Sequence, residues 1–336
     1  MRFSTTFFAF SLTIASPVLA ASRTQNDAPW ALQRITQAGK LANTNPNSNN
    51  FTYTYDDSAA GQGVDIYMIT GGVYLNHNEY KGRATFAINT HRPTQVENIE
   101  RGDDSVGTSS AGSAIGNRFG VAKKANVISI IPYYTIRNSW SPGNGKNVND
   151  MVKAIDYVAN QVPITKRPSI AYFQGVEYGT SQVIDQATEN LIKLGVHVVI
   201  AAGDYTIDVL DSPGISPAHL SSVITVGSVD IHDNYHPTSN YGSSVDIWAP
   251  GISIWTAGPV GWSESQPVPD RIGSYSGTPR AASFVAGIIA YRISKDGNLP
   301  PAAMKARLLE LSLKDVIQDL PEGSNSNNLL AQLGPI

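Results

Sequence analysis

There is no cysteine among the 336 residues, so disulfides are excluded and stability must come from the size of the core. Charge is scarce as well: 24 Lys and Arg stand against 27 Asp and Glu, 15% of the chain, with a formal net charge of −3. That balance favours no polyanion-binding surface, and nucleic acid is not expected as a partner. Long apolar runs are missing too. Nothing reaches the ~18 uninterrupted apolar residues of a membrane span, so no membrane partner is expected. What the chain does have is an apolar content of 41%, with 29 glycines and 20 prolines. This is the composition of a globular protein with a rather uncharged surface and many tight turns, long enough for a substantial core.

Met1 to Ala20 has the layout of a secretory signal peptide. Arg2 supplies the charge, Phe7 to Ile14 the apolar centre, and Val18-Leu19-Ala20 a small-residue cleavage site. The expected product is secreted, extracellular or within the lumen of the secretory pathway. Asn50-Phe51-Thr52 is a glycosylation sequon, which makes Asn50 a candidate glycan acceptor.

Residues 28–35 predict an N-terminal arm and short helix, and the Asn-, Pro- and Ser-rich residues 43–50 a polar loop. Beyond them, short β-rich apolar runs alternate with helical spacings. Strands are predicted at 64–70, 127–132, 170–173, 196–202, 223–226 and 245–248. Helices are predicted at 110–116, 149–161, 183–194 and 301–312, with Gly195 at the C′ position of the third. Such alternation predicts an α/β fold, a mostly parallel central sheet with helices on both faces. Sheets of this kind place ligands at the carboxyl ends of their strands.

Residues 276–287 read Ser-Gly-Thr-Pro-Arg-Ala-Ala-Ser-Phe-Val-Ala-Gly. A small-residue turn leads into an Ala-rich run, 281–290, with the volume and propensity of a buried helix. A turn that delivers a residue to the start of a buried helix can present a nucleophile, with neighbouring N–H groups to stabilise an oxyanion. The stretch resembles the nucleophile segment of subtilisin-like serine proteases, Gly-Thr-Ser-Met-Ala-x-Pro-His-Val-Ala-Gly. Gly277, Thr278, Ala281, Val285, Ala286 and Gly287 match it. Further stretches resemble the proteinase-K branch of that family, in order from about residue 28 to 312. They include Ala28-Pro29-Trp30, Gly120-Val121-Ala122-Lys123-Lys124, Ala201-Ala202-Gly203, Ser239-Asn240-Tyr241-Gly242 and Asp246-Ile247-Trp248-Ala249-Pro250-Gly251. The resemblance implies a subtilisin-like fold in a single domain over residues 21–336. It also implies no recognisable propeptide domain, since only about seven residues separate Ala20 from Ala28.

The resemblance implies a catalytic residue at each of four positions, and this sequence departs from all four. The nucleophile's place holds Pro279, which has neither a hydroxyl nor an N–H. The acid's place, after the first family strand, holds Thr70, and the base's place holds Ser109. Threonine cannot orient an imidazole by charge, and serine has no pKa near neutrality. The oxyanion asparagine's place holds Asp204, whose carboxylate would repel the charge it should stabilise, reversing a term of about 3–4 kcal/mol. The substrate-binding edges differ too: one reads Gln174-Gly175-Val176-Glu177, and the other, near residues 143–147, carries Lys146 and Asn147.

The same branch carries a weak structural calcium site made of two carbonyls and one aspartate. The matching positions are Ser221, Val223 and Asp246, of which only Asp246 offers a side chain. Two readings stand there: a bound calcium ion, or Asp246 capping local backbone. No cofactor is required. His77 is expected to be structural and His197 a core residue, while His232 and His236 flank Asp233 as a thin metal motif; His91 and His219 have no partner legible in the sequence.

Three functional readings follow from these residues. The first is a secreted pseudoprotease that binds a protein, peptide or small-molecule ligand. The second is an enzyme repurposed from the old cleft, acting on a small molecule or secondary-metabolite intermediate. There Asp204 is acid or base, and Thr70, Ser109, Gln174, Glu177 and Arg280 surround it. The third is a residual hydrolase with an unrecognised nucleophile.

Overall fold

The computed structural model describes residues 22–91, 105–132, 147–175, 179–211, 214–259 and 268–336. The segment expected to be a signal peptide, Glu177 and Lys146 lie outside them. The chain opens with β1 (Ser22–Ala28), α1 (Trp30–Arg34), β2 (Phe51–Asp56), β3 (Asp65–Ile69), β4 (Ala84–Asn89) and α2 (Ser105–Ile115). It continues through β5 (Asn126–Ile131), α3 (Val148–Thr165), β6 (Ser169–Phe173), α4 (Gln182–Lys193), β7 (His197–Ala201) and β8 (Ile224–Val229). Last come β9 (Ile247–Pro250), β10 (Ile254–Ala257), β11 (Ile272–Tyr275), α5 (Thr278–Asp296), α6 (Pro301–Leu311), β12 (Leu313–Lys314) and β13 (Leu329–Leu330).

Nine strands form one sheet in the order β12-β13-β9-β8-β7-β6-β3-β5-β4. Every pairing from β13 to β4 is parallel; only β12 runs against its neighbour. The strands are apolar on both sides because both sides are covered. In β3, Ile66 and Met68 enter the core under α2 and α5, while Tyr67 and Ile69 enter the core under α3 and α4. β6 repeats the alternation with Ile170 and Tyr172 against Ala171 and Phe173. The chain leaves β3 toward β5 on one side and returns through β6 on the other. The carboxyl ends of β3 and β6 therefore form a topological switch point, the place where such sheets set their ligand sites.

α5 runs through the centre of one core, and every residue from Thr278 to Ile293 is buried. A helix apolar or small on all sides can sit nowhere else. Gly287 lets it approach α2: a Cβ there would lie 2.9 Å from the Ala114 carbonyl oxygen and 2.8 Å from Val121 Cβ.

The predicted strands and helices are all present, with ends moved by a few residues. Not anticipated were the antiparallel pair β1–β2, the pair β10–β11, the edge strand β4 and the short β12 and β13. Among the described residues no helix is long and apolar enough to cross a membrane.

Candidate functional site

The site is built where the β7 carboxyl end meets the amino end of α5. Asn240 shapes the loop that leaves β7. Its Nδ2 donates to the Ala202 carbonyl (2.8 Å), and its Oδ1 accepts from the backbone N–H groups of Tyr205 (3.0 Å) and Ile207 (3.3 Å). This fixes Asp204 over α5, where Asp204 Oδ1 accepts from the Thr278 N–H at 2.9 Å. In return the Gly203 N–H donates to Thr278 Oγ1 at 3.1 Å. Gly277, in the left-handed half of backbone space at φ 121°, leaves room for the carboxylate; a Cβ there would stand 2.8 Å from Asp204 Oδ2.

The first turn of α5 is thereby spoken for. The Thr278 N–H goes to Asp204, Pro279 has none, and the Arg280 N–H donates to the Gly277 carbonyl at 3.1 Å. The partial positive charge of a helix amino end is met by a carboxylate of the same chain. Burial pushes the Asp204 carboxyl above its ordinary value, against the Thr278 N–H and the charges of Arg280 and His236, which pull it down. The His236 imidazole is in turn lowered by burial, with Asp204 and Asp230 opposing. Arg280 is buried with its guanidinium 5.5 Å from the Tyr275 ring centroid.

Thr70 follows β3 and is fully buried. Its hydroxyl accepts from the Gly72 N–H at 3.1 Å and lies against α2 at Gly107, where a Cβ would be 2.6 Å from it. Ser109, one turn into α2, is also fully buried; its Oγ donates to the Val106 carbonyl at 3.0 Å, and its own carbonyl accepts from Thr256 Oγ1. Tyr172 closes the floor, its hydroxyl donating to the Pro279 carbonyl at 2.8 Å and sharing a 2.9 Å bond with Ser110 Oγ. Gln174, buried after β6, accepts weakly from the Gly71 N–H at 3.4 Å. The described candidates lie on the segments that follow β3, β6 and β7 and on α2 and α5, but Thr70, Ser109, Gln174 and Arg280 are interior and only Asp204 keeps a partly exposed surface. Glu177 falls outside the described residues. Asn147 caps α3, its Oδ1 accepting from the Asn149 N–H.

The imidazoles are placed as follows. His77 is buried, its Nε2 bonded to the Arg271 carbonyl at 2.6 Å and its Nδ1 accepting from the Glu79 N–H, which fixes a neutral tautomer. Burial lowers its pKa, and likewise that of His197, whose Nε2 meets Asn298 Oδ1. His91 and His219 have aspartate partners that the sequence did not reveal: Asp150 at 3.2 Å and Asp185 at 2.9 Å. Among the described residues no serine or threonine hydroxyl hydrogen-bonds either of those rings. His236 Nδ1 pairs with Thr238, and among the described residues no group of three or more metal-ligating side chains forms around it or elsewhere.

At the opposite, amino end of the sheet, the three oxygens expected to hold calcium do converge. They converge on Lys305 Nζ, which lies 2.8 Å from the Ser221 carbonyl, 2.7 Å from the Val223 carbonyl and 2.6 Å from Asp246 Oδ1. These residues do not fit the metal as they stand. Asp246 Oδ2 accepts from the Thr225 N–H, so the backbone-capping role expected of Asp246 is also met.

A parallel-sheet α/β protein whose candidate site lies at the strand carboxyl ends, against a buried small-residue helix, is the class that this fold and site define. The model of the subtilase family of peptidases matches residues 37–330. Subtilisin-like protease 8 of Trichophyton verrucosum (strain HKI 0517) is 31% identical over 335 residues, 93% of this chain and 62% of its own length. Subtilisin-like serine protease Cla h 9.0101 of Davidiella tassiana is 32% identical over 337 residues, 93% of this chain and 59% of its own. A solved cold-adapted subtilisin-like serine proteinase superposes with a TM-score of 0.74 at 26% identity, covering 92% of this chain and all of its own. The chain belongs to the subtilase family. It spans about three fifths of the length of those two fungal relatives.

Proposed function

We propose that this subtilase is a secreted, non-proteolytic member of its family that binds a protein, peptide or small-molecule ligand. The carrying observation is the Asp204 carboxylate seated on the amino end of α5, 2.9 Å from the Thr278 N–H. A developing oxyanion needs donors at that helix end, and the chain has filled it with a negative charge. Pro279 next to it offers no hydroxyl, and the positions matching acid and base hold a buried threonine and a buried serine. The relatives are named as proteases; the residues at these four positions argue against that activity here. The purified protein should form no adduct with a fluorophosphonate probe and release no dye from a labelled casein. Stoichiometric labelling would falsify the proposal and return the chain to the hydrolases.

A second reading, an enzyme repurposed at the same site with Asp204 as acid or base, draws on the raised carboxyl pKa beside His236 and Arg280. Asp204→Asn distinguishes the two. A binding protein keeps its ligand affinity within a few-fold, whereas proton transfer through that carboxyl is abolished.

Asn50 is exposed in a polar loop, and we assign it as the glycan acceptor of the secreted form. Protein expressed in a eukaryotic secretory host should lose mass on treatment with an N-glycosidase; an unchanged mass rejects the assignment.

A further inference from the structure

The cradle at Ser221, Val223 and Asp246 has the oxygens of a cation site, and the chain supplies the cation. We propose that the Lys305 ammonium is the resident ion of this cradle, so that this subtilase is held together there by its own side chain and not by calcium. An ammonium carries three N–H donors, and Lys305 Nζ has three oxygen partners around it. The two carbonyl distances, 2.8 and 2.7 Å, are those of charge-assisted N–H···O bonds of about 2.7–2.9 Å, and the carboxylate contact at 2.6 Å is slightly shorter. Calcium needs about 2.3–2.6 Å and six to eight oxygens. The charges balance as well: one carboxylate faces one ammonium, and a divalent ion added beside Lys305 would meet repulsion at close range. Both Asp246 oxygens are engaged, Oδ1 by Lys305 and Oδ2 by the Thr225 N–H at 2.9 Å.

The pair is shielded enough to matter. The Lys305 and Asp246 side chains are 15% and 14% exposed, unlike an open surface ion pair, whose worth is close to nil. Lys305 lies on α6, and its three acceptors lie just before β8 and β9, so the ammonium pins that helix to the amino ends of two central strands. These ends are opposite the strand ends that carry Asp204, so the clamp acts on stability and leaves the proposed ligand site untouched.

The test compares wild type with Lys305→Met, which keeps the apolar stem and removes the charge, and with Asp246→Asn. Melting temperatures are read in EDTA and in millimolar calcium chloride. We expect Lys305→Met to melt several degrees below wild type in EDTA and to recover part of that gap in calcium, because the vacated cradle can then take the ion. Wild type and Asp246→Asn should respond to calcium equally, so that any response belongs to a site elsewhere. The proposal is overturned if calcium raises the wild-type melting temperature and Asp246→Asn abolishes that rise, for then the metal uses this cradle with Lys305 displaced. It is equally overturned if Lys305→Met melts with wild type in EDTA. Should Lys305→Met fail to fold, the comparison of wild type with Asp246→Asn still decides.

Discussion

Single side chains carry most of what is distinctive here. The Tyr172 hydroxyl joins α2 to α5 through Ser110 and the Pro279 carbonyl in a fully buried position. Tyr172→Phe strands both partners and should cost about 1–3 kcal/mol in denaturant unfolding. An unchanged midpoint would show that the bridge contributes nothing. Asp204 gives a pH signature. Its carboxyl pKa is raised in the folded state by burial, so below the ordinary aspartate value both folded and unfolded forms are protonated and the residue costs nothing. As pH rises from that value through the raised one, only the unfolded chain ionises freely, and stability is lost. Asp204→Asn, which can still accept from Thr278, should therefore match wild type in acid and exceed it at neutral pH. Thermal melts across that range check the sign. The family frame around Thr70, Ser109, Asp204 and Pro279 was legible in the sequence, because its glycine and small-residue motifs are local and in order, and the proposed departures at those four positions are read from it. The Lys305 clamp was not. A lysine on an Ala-rich helix reads as a solvated residue, and its acceptors are two backbone carbonyls and an aspartate some sixty to eighty residues upstream.

Among the elements, parallel strands announced themselves because burial on both faces makes them short apolar runs, as in Ile224–Val229. Two of the strands that escaped notice have little apolar signal, while β10 and β13 are apolar but only four and two residues long. β1 is exposed along most of its length, and β11 alternates exposed and half-buried positions with no apolar block. α5 was visible from its small-residue run, but the tightness of its contact with α2 depends on backbone approach, which composition does not reveal. Gly287 tests that contact. Its backbone dihedral is ordinary, so the penalty of Gly287→Val arises from the Ala114 carbonyl and Val121 standing inside normal Cβ distance. Overpacking of this kind costs about 1–3 kcal/mol or more. A variant as stable as wild type would mean that α2 and α5 can part without loss.

For the molecule as a whole, the amino-terminal helix is anchored by a buried pair to the loop after β8 and by a hydrogen bond to the carboxyl end. Arg34 of α1 bonds Asp233 through Nε at 2.7 Å and through Nη2 at 3.1 Å, both side chains being 1% exposed. Gln332 near the carboxyl end donates to the Arg34 carbonyl at 3.1 Å. Arg34→Met leaves a dry carboxylate without its counter-ion and should destabilise by about 3–5 kcal/mol, read as an earlier denaturant midpoint. Acid should also unfold the protein through its buried imidazoles. His77 and His197 have lowered pKa values when folded. Above the ordinary histidine value of about 6.5 both states are neutral and nothing is lost. Below it the unfolded chain takes up protons that the folded one refuses, and stability falls until the lowered values are passed. A His77→Gln, His197→Gln double variant should show a shallower decline between pH 7.5 and 5, and an unchanged slope would reject this account.

The seat of Asp204 has one more implication, and it concerns the direction of evolution. On the proposed non-proteolytic reading, regaining hydrolysis would require changes in a set order, beginning with eviction of the resident carboxylate. Until that happens, a serine introduced at position 279 would face a negative neighbour that makes its hydroxyl harder to ionise, and selection would find no gradient to climb. On that reading the carboxylate acts as a ratchet, holding the protein in its proposed non-proteolytic state while the scaffold is retained.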